Sequence, residues 1–444
     1  MFIKYSDMRI EYDVEVMLDF LHNNNVKVYL VGGFVRDTIL NRYSKDYDIA
    51  VDKPVIEIIP LLRNAGYTVI DTSKEFGSIA VIINKKKIDI AEFRNDKYDM
   101  ISRKPVISKV NSIEEDLKRR DFTINSMAIE YPTNYIIDPY NGTEDLLKKK
   151  TLVTVRNANI VFKEDALRIM RAIRFASKYD LSITEIEKAL KKNLIRLNSI
   201  SKERIREELI KGFSDESYVN YAKMLISTGI LKTIIPETKK YTMLVHDFRG
   251  HHYGESLGQH AIDTLSRYNN IDALDRIIAF LHDIGKINTR KINGEKIQYI
   301  GHDLEGAKLI EIILKRLKFT RKEVSFASKV ITNHLFFSQL SKTLQPNKQL
   351  AKFFIEQNEN MNFIVRLIKI AEADQNKNYI DYMQILFRFG MIPKLILGKD
   401  VLFMPEEKRG IAIAKARYYQ LIGEATTKEK LLHLIATDYK EGVL

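Results

Sequence analysis

Two glycines followed by two closely spaced aspartates are the first residues of this chain whose types and spacing could do chemistry. Gly32 and Gly33 lie in the sequence Val-Gly-Gly-Phe-Val-Arg-Asp, and Asp46 and Asp48 follow. The apolar residues before the glycines predict a short buried strand, after which paired glycines can present backbone N–H groups to a triphosphate. Residues two apart in a strand face the same side, so a strand over 46–51 would point both carboxylates at one place.

A third carboxylate, Asp89, is expected to complete this site. The segment 85–93 begins with a basic turn and continues with alternating apolar residues, which predicts a strand with Asp89 in its middle. Clustered carboxylates repel unless a cation lies between them, and oxygen ligands beside phosphates suit Mg²⁺. We expect Asp46 and Asp48 to bridge two Mg²⁺ ions, and Asp89 to bind the catalytic ion and help deprotonate an attacking hydroxyl.

Further motifs follow in a fixed order. They are Lys-Arg-Arg-Asp-Phe-Thr-Ile-Asn at 118–125, Asp-Pro-Tyr-Asn-Gly at 138–142 and Glu-Asp-Ala-Leu-Arg-x-x-Arg-Ala-x-Arg-Phe-Ala at 164–176. With the glycines and aspartates, this set resembles the class II bacterial CCA-adding tRNA nucleotidyltransferase and poly(A) polymerase family. The resemblance implies a Mg²⁺-dependent enzyme that adds C, C and A to the 3′ end of tRNA, with tRNA, CTP and ATP as its partners and no nucleic-acid template.

The nucleotide would be selected by Asp165 and Arg168, which lie three residues apart in a predicted helix and so project side by side. An Asp acceptor beside an Arg donor matches the Watson–Crick edges of cytosine and adenine, whereas uracil and guanine present the reversed order. A mismatch leaves a buried polar group unpaired, at a cost of about 1–3 kcal/mol. The other nucleotide-binding residues that the resemblance implies are Gly32, Gly33, Arg36, Arg119, Arg120, Asp121, Asn125, Arg171 and Arg174, and Arg204 is a candidate for phosphate or tRNA contact.

A second group of metal-binding residue types lies in the carboxy-terminal half. Seven of the nine histidines fall between His246 and His334. Imidazole and carboxylate together suit a divalent transition metal. The spacing, with His-Asp-Ile-Gly-Lys at 282–286, resembles an HD domain, for which it implies the ligands His260, His282, Asp283 and Asp374, with His302 and His334 as further candidates. HD modules in this family act as phosphohydrolases or as tRNA-binding scaffolds, and both alternatives stay open here.

The length of 444 residues predicts about three modules. Strand-like and helix-like segments alternate to about residue 140, and helical periodicity follows. The resemblance implies an α+β fold, with an amino-terminal nucleotidyltransferase head that has a polymerase-beta-like mixed sheet, followed by an elongated all-helical neck, body and tail. The expected domains are a head at 1–142, a neck with the nucleotide-selecting helix at 143–212, a body at 213–376 that contains the HD domain at about 250–376, and a tail at 377–444.

Charge and residue usage narrow the class of protein. The formal net charge of +13 and the pI near 9.3 indicate a polyanionic partner. The absence of cysteine excludes disulfides and thiolate metal sites. With no apolar run long enough to span a bilayer and no signal-peptide pattern, the sequence predicts a cytoplasmic protein without membrane contact.

Several functional alternatives share these motifs. They are a poly(A) polymerase, a partial CC- or A-adding enzyme, an HD phosphohydrolase whose head only binds RNA, and a non-catalytic tRNA-binding module. The three intact aspartates count against the last two.

A polar segment between Arg94 and Ser112 lacks periodicity and predicts a loop. In the family, a flexible loop at this place is associated with the switch from C to A incorporation, which favours full CCA addition.

Overall fold

The structure is a computed structural model that describes residues 3–4, 8–44, 46–73, 77–97, 106–241, 243–244, 256–294, 296–340 and 343–444. The chain separates into two compact units, Met1–Ile234 and Ile235–Leu444. Within the described ranges, no helix combines the length and the apolar character needed to cross a membrane.

The described strands lie mostly in the first unit. They are β1 (Ile3–Lys4), β2 (Val28–Val31), β3 (Asp48–Val51), β4 (Thr68–Ser73), β5 (Ser78–Ile83), β6 (Lys86–Glu92), β7 (Arg94–Lys97), β8 (Val106–Lys109), β9 (Ala128–Tyr131) and β10 (Tyr135–Ile137), with β11 (Lys291–Asn293) and β12 (Lys296–Gln298) in the second unit.

The helices of the first unit are α1 (Tyr12–Asn23), α2 (Gly33–Ile39), α3 (Val55–Asn64), α4 (Ile113–Lys118), α5 (Gly142–Glu144), α6 (Ala158–Glu164), α7 (Leu167–Tyr179), α8 (Thr184–Asn193), α9 (Lys202–Ser214), α10 (Tyr218–Ser227) and α11 (Ile230–Ile234). Those of the second unit are α12 (Leu257–Arg267), α13 (Ala273–Leu281), α14 (Lys286–Thr289), α15 (His302–Arg316), α16 (Arg321–Asn333), α17 (Phe336–Leu340), α18 (Pro346–Glu356), α19 (Met361–Gln375), α20 (Ile380–Met391), α21 (Glu406–Leu421) and α22 (Lys428–Lys440).

One eight-stranded mixed sheet organises the head, in the order β1-β10-β9-β2-β3-β6-β5-β4. Strand β2 is buried at all four positions, which explains its continuous apolar sequence. Strands β3 and β6 run parallel and set Asp48 opposite Asp89, while antiparallel β2 sets Val31 opposite Asp48. The glycine turn that follows β2 therefore lies at the same end of the sheet as both carboxylates. The predicted mixed-sheet head is confirmed.

The turn at the end of the head contains an asparagine in a left-handed backbone conformation. Asn141 adopts a left-handed conformation with φ 59°, which asparagine tolerates better than most residues. The carboxylate of Asp138 accepts hydrogen bonds from the backbone N–H groups of Gly142 (2.7 Å) and Thr143 (2.9 Å). The asparagine therefore meets the backbone requirement of this turn.

Two short hairpins lie where the sequence predicted a loop and an all-helical region. Strands β7 and β8 pair antiparallel, so the polar segment after Arg94 is a hairpin at its base, and residues 98–105 lie outside the described residues. In the second unit, β11 and β12 form another hairpin, whose turn contains Gly294 at φ +61°. The expectation of an all-helical second half is therefore wrong at this hairpin, although helices form the rest of its described regular structure, apart from short 3₁₀ turns.

Candidate active site and candidate metal centre

The glycine turn is shaped by close contact with Asp48. Gly32 adopts φ 71° and ψ −126°, and α2 begins at the next residue, Gly33. An added Cβ at Gly32 would lie only 2.8 Å from Oδ2 of Asp48. Glycine is therefore required here both for the backbone conformation and for the approach of the carboxylate.

Two of the three predicted metal-binding aspartates lie in neighbouring strands, and the third lies two residues before β3, so the predicted strand over 46–51 begins only at Asp48. Asp48 begins β3, Asp89 is its register partner in β6, and Asp46 precedes β3 rather than lying in it. Burial and the charges of Asp46 and Asp89 raise the pKa of Asp48, while Arg120 and Arg36 act in the opposite direction. Because the three negative charges interact, a cation between them would relieve their repulsion.

Asp89 already contacts a cation of the protein. Its carboxylate lies 2.6 Å from Nζ of Lys87, and both side chains are about half exposed. Among the described residues, the sets of metal-ligand atoms that all lie within 4.8 Å of one another belong to the second unit, so the head aspartates do not form such a set. Asp89 would have to exchange Lys87 for a metal ion to act as predicted.

Arg36 connects the glycine turn to the rest of the site. Its buried guanidinium donates to the Tyr179 hydroxyl (3.2 Å), to the Gly32 carbonyl (3.4 Å) and, at very short range, to Oδ1 of Asn125. It also lies 5.0 Å from the ring centre of Phe175. Since protein groups occupy these donors, the structure supports a role for Arg36 in positioning the turn.

Arg119 and Arg120 share an acidic partner that the sequence argument missed. Asp116 is 1% exposed, and its two carboxylate oxygens lie 2.9 Å from Arg119 and 3.1 Å from Arg120. Burial alone would raise the pKa of Asp116, but the two arginines lower it. The signal available in the sequence was the spacing of three and four residues in a helix.

Asp121 is held by α7 and by its own turn. It accepts hydrogen bonds from Nε of Arg171 (2.6 Å) and Nδ2 of Asn125 (2.7 Å). Burial alone would raise the pKa of Asp121, but Arg171, Asn125 and Arg168 together lower it to about 2. Asp121 is therefore a charged anchor between the head and α7 at neutral pH.

Asp165 does not lie in the helix of Arg168, so the prediction that one helix carries both is wrong. Asp165 is extended between α6 and α7, because its Oδ1 accepts the backbone N–H of Leu167 (3.0 Å) and so caps the start of α7. Its Oδ2 lies 2.7 Å from Nη2 of Arg204. Arg168, in the first turn of α7, lies 3.0 Å from Glu164. Both predicted nucleotide-selecting residues thus have protein partners, of which only the i,i+4 partner Glu164 was indicated by spacing.

Arg174 is also paired. Its Nε lies 2.7 Å from the buried carboxylate of Glu208, and its guanidinium lies 4.4 Å from the ring centre of Phe175. The salt bridges of Arg171 and Arg174 hold α7 in place, and the charge of each arginine is compensated by an acid.

All six predicted HD ligands come together in the second unit. His260, His282, Asp283 and Asp374 form one group of candidate metal ligands, and Asp283, His302 and His334 form a second. The distances within these groups are 3.0 Å from His260 to Asp374, 3.2 Å from His260 to Asp283, 3.2 Å from His282 to Asp283 and to Asp374, 3.3 Å from His302 to Asp283 and 3.7 Å from His334 to Asp283. Asp283 uses Oδ2 toward the first group and Oδ1 toward the second, so it could bridge two ions.

Three of these histidines are oriented by the backbone. Nδ1 of His282, His302 and His334 lies 2.8, 2.7 and 2.6 Å, respectively, from the carbonyl oxygen of the residue three positions earlier. A neutral imidazole that donates from Nδ1 presents a lone pair on Nε2. In the part of the chain that the structure describes, the buried Nε2 atoms of His302 and His334 have no hydrogen-bond partner. These two nitrogens are therefore suited to binding a metal ion.

The electrostatics of this centre favour a positive charge. Burial alone would lower the pKa of His282, but Asp283 and Asp374 raise it to about 10. Burial alone would raise the pKa of Asp374, but His282 and His260 hold it well below its usual range. The two carboxylates therefore stabilise a cation among these side chains, whether a proton or a metal ion.

Three family models match the chain. The poly A polymerase head domain matches residues 28–152, the probable RNA- and SrmB-binding site of polymerase A matches 181–242, and the HD domain matches 257–377.

Curated relatives match about half of the chain. The CCA-adding enzyme of Lactobacillus johnsonii is 38% identical over 221 residues, which cover 49% of this chain and 54% of that one. The CCA-adding enzyme of Geobacillus thermodenitrificans is 36% identical over 219 residues, which cover 49% and 52%. The chain thus spans about half the length of the curated relatives it matches.

Solved structures resemble the chain over almost its whole length. The Bacillus stearothermophilus CCA-adding enzyme in complex with CTP has a TM-score of 0.72 at 21% identity and covers 96% of this chain and 97% of that one. The Thermotoga maritima CCA-adding enzyme complexed with tRNA has a TM-score of 0.62 at 20% identity, with 99% of each chain covered. At these identities the likeness shows the fold, a mixed-sheet head followed by helices.

Proposed function

We propose that this chain, which carries a poly A polymerase head domain, the polymerase A RNA-binding segment and an HD domain, adds C, C and A to the 3′ end of tRNA from CTP and ATP. The observation that carries this proposal is the register of β3 and β6, which sets Asp48 beside Asp89 next to the glycine turn. Because tRNA is the proposed substrate, we place the enzyme in the cytoplasm. We also propose that its domains are divided at residues 142, 212 and 376.

In the proposed reaction the 3′-hydroxyl oxygen of tRNA bonds to the α-phosphorus of the nucleotide, and the bond from that phosphorus to the bridging oxygen breaks to release pyrophosphate. Asp46, Asp48 and Asp89 would hold Mg²⁺, which when bound supplies positive charge to the phosphates and to the attacking oxygen. Asp89 helps to take the hydroxyl proton. Gly32 and Gly33 bring the backbone close to the triphosphate.

Nucleotide selection would use the carboxylate of Asp165 and the guanidinium of Arg168. One oxygen of Asp165 accepts the backbone N–H of Leu167, and the other, which contacts Arg204, would accept a hydrogen bond from the exocyclic amino group of cytosine or adenine. Arg168 is held by Glu164 (3.0 Å) and by the backbone carbonyl of Arg119 (3.1 Å), and its guanidinium would donate to the ring nitrogen of a bound nucleotide. The same two side chains thus serve both nucleotides.

The experiment supplies tRNA transcripts that lack one, two or three terminal nucleotides, together with each labelled nucleoside triphosphate. We expect C, C and A to be added in order, with incorporation abolished by Asp48→Ala and spared by His282→Ala. Incorporation of A alone on any RNA would identify a poly(A) polymerase, and a stop after two C residues would identify a partial enzyme. Equal loss in both variants would contradict independent sites.

A second activity is supported by the shared carboxylate of Asp283. We propose that the centre around it binds two divalent transition-metal ions and hydrolyses phosphoesters, since paired ions can hold both an attacking water and a phosphate oxygen. The test measures hydrolysis of p-nitrophenyl phosphate and bis(p-nitrophenyl) phosphate with Mn²⁺, Co²⁺ or Ni²⁺. Asp283→Asn should abolish hydrolysis, whereas Asp48→Ala should retain it. If neither ester were hydrolysed with any of the three metals, this centre would have a structural role only.

A further inference from the structure

A basic groove runs along helix α16 in the second unit. It consists of two neighbouring depressions of about 430 and 420 Å³ that share Arg321, Ser325 and Lys329. We call it the α16 groove, and the cations that line it are Lys315, Arg321, Lys322, Lys329 and Arg366, against the single acid Glu311. Its positive charge thus exceeds its negative charge several-fold.

Only some of these cations are compensated by acids. Lys315 lies 2.9 Å from Glu311, and Arg366 forms a close ion pair with the buried Asp275. In contrast, Arg321, Lys322 and Lys329 have no carboxylate within 4.0 Å in the part of the chain that the structure describes. Three positive charges are therefore available to an anion from outside.

Two of these charges lie where a helix disfavours them. Arg321 and Lys322 occupy the first turn of α16, whose start is fixed by a capping box between Thr320 and Glu323. The partial positive charge of a helix N-terminus favours acids in the first turn by about 0.3–1 kcal/mol each, so cations there weaken the helix. An anion bound in the groove would convert this unfavourable arrangement into a favourable one.

The aromatic rings of the groove contact its cations, so these ring faces are already occupied. The guanidinium of Arg366 lies 4.0 Å from the ring centre of Phe326, and Nζ of Lys329 lies 4.7 Å from that of Phe363. Phe363 is buried, and the two rings pack edge to face at 6.0 Å. Such a surface suits contact with phosphates and provides no platform for stacking bases.

We infer that the α16 groove binds the phosphodiester backbone of RNA, and that it is a second contact for the tRNA of the proposed function, on which this inference rests. From Arg321 to Lys329 the helix rises about 12 Å, so one compact phosphate cannot contact both ends. An extended polyanion can, and it matches the formal net charge of +13. The contact is independent of sequence, because backbone phosphates carry no base information.

The test measures the Kd for tRNA without its CCA end between 50 and 200 mM salt. For Arg321→Glu with Lys329→Glu, we expect the Kd at 50 mM salt to rise at least about tenfold, and the slope of log affinity against log salt to fall by about 2, since each phosphate contact contributes about 0.9. The matched control is Lys348→Glu with Lys352→Glu, which makes the same charge change at two exposed positions of α18. Its Kd and slope should stay within twofold of wild type.

Thermal unfolding establishes that the variants are folded, and Arg321→Gln with Lys329→Gln provides a milder change that should lower the slope in the same direction. A wild-type Kd and slope in both groove variants would overturn the inference, and the groove would then fit an acidic protein surface instead. The outcome is separable from the proposed function, because a protein that adds no nucleotide to tRNA would fail the incorporation assay whatever its affinity for tRNA.

Discussion

Replacement of Gly32 with alanine is expected to displace Asp48 without removing any charge. The new Cβ would lie 2.8 Å from Oδ2 of Asp48, whereas ordinary contact begins at 3.4 Å, so the carboxylate must move by about 0.6 Å. A misplacement of about 1 Å at a catalytic centre can cost about a hundredfold in rate. We therefore expect kcat/KM for CTP incorporation to fall at least about tenfold, which corresponds to about 1.4 kcal/mol.

The backbone of Gly32 adds a separate effect on stability. Its φ of +71° with ψ of −126° is a backbone conformation that side chains disfavour, and it would cost an alanine about 1–3 kcal/mol of the free energy of unfolding. Gly66 provides the matched control, because it also has a positive φ, +87°, but an added Cβ there would meet nothing within 4 Å. Gly66→Ala should lose stability without losing activity.

The assay combines steady-state incorporation of labelled CTP with urea unfolding of both variants. The expected result is a loss of unfolding free energy in both proteins and a loss of kcat/KM only in Gly32→Ala. If both variants retained wild-type kcat/KM within twofold, the contact between the glycine turn and Asp48 would have no effect on catalysis, contrary to this prediction.

Three further predictions concern other parts of the chain. Asp165→Ala should raise incorporation of UTP and GTP relative to CTP about tenfold, because its proposed hydrogen bond to the nucleotide, worth about 1–3 kcal/mol, is lost, and unchanged selectivity would count against the assignment. The pKa of Asp121 is lowered to about 2, so its stabilisation is present above its ordinary value near 3.9 and is lost as the pH falls toward 2. Urea unfolding at pH 6 and pH 3 should show Asp121→Asn losing about 2–3 kcal/mol at pH 6 and less at pH 3; an equal loss at both would contradict this. His334→Ala should reduce bound transition metal from two ions per chain to one in elemental analysis. If two ions were retained, the group of Asp283, His302 and His334 would not be a metal-binding site.

The position of Asp48 illustrates what spacing in a sequence can predict. An apolar segment followed by two glycines indicated strand β2 and its turn, and alternation around Asp89 indicated strand β6. These patterns are local, and each reflects burial on the faces of one strand. The parallel pairing of Asp48 with Asp89 is different, since it depends on strand order, which no local pattern specifies.

The error at Asp165 has a local physical cause. An aspartate can accept the backbone N–H two residues later and so end one helix and begin another. The sequence pattern around it remains helical on both sides, which is why periodicity alone placed Asp165 in the helix of Arg168. The ion pair of Asp165 with Arg204 could not be predicted from a local pattern, because Arg204 comes from a distant helix, whereas the spacing of four residues between Glu164 and Arg168 was an available signal.

The proposed metal-binding role of the head aspartates is tested by the rate of first C addition in a single turnover, with tRNA and CTP bound before Mg²⁺ is added. Asp89→Asn should slow this step by more than about a hundredfold, since it removes a charge from a metal ligand. The control Lys87→Met removes only the cation that contacts Asp89 in the structure and should react within a few-fold of wild type. An Asp89→Asn enzyme that adds C at the wild-type rate would contradict the claim that these aspartates hold the catalytic metal.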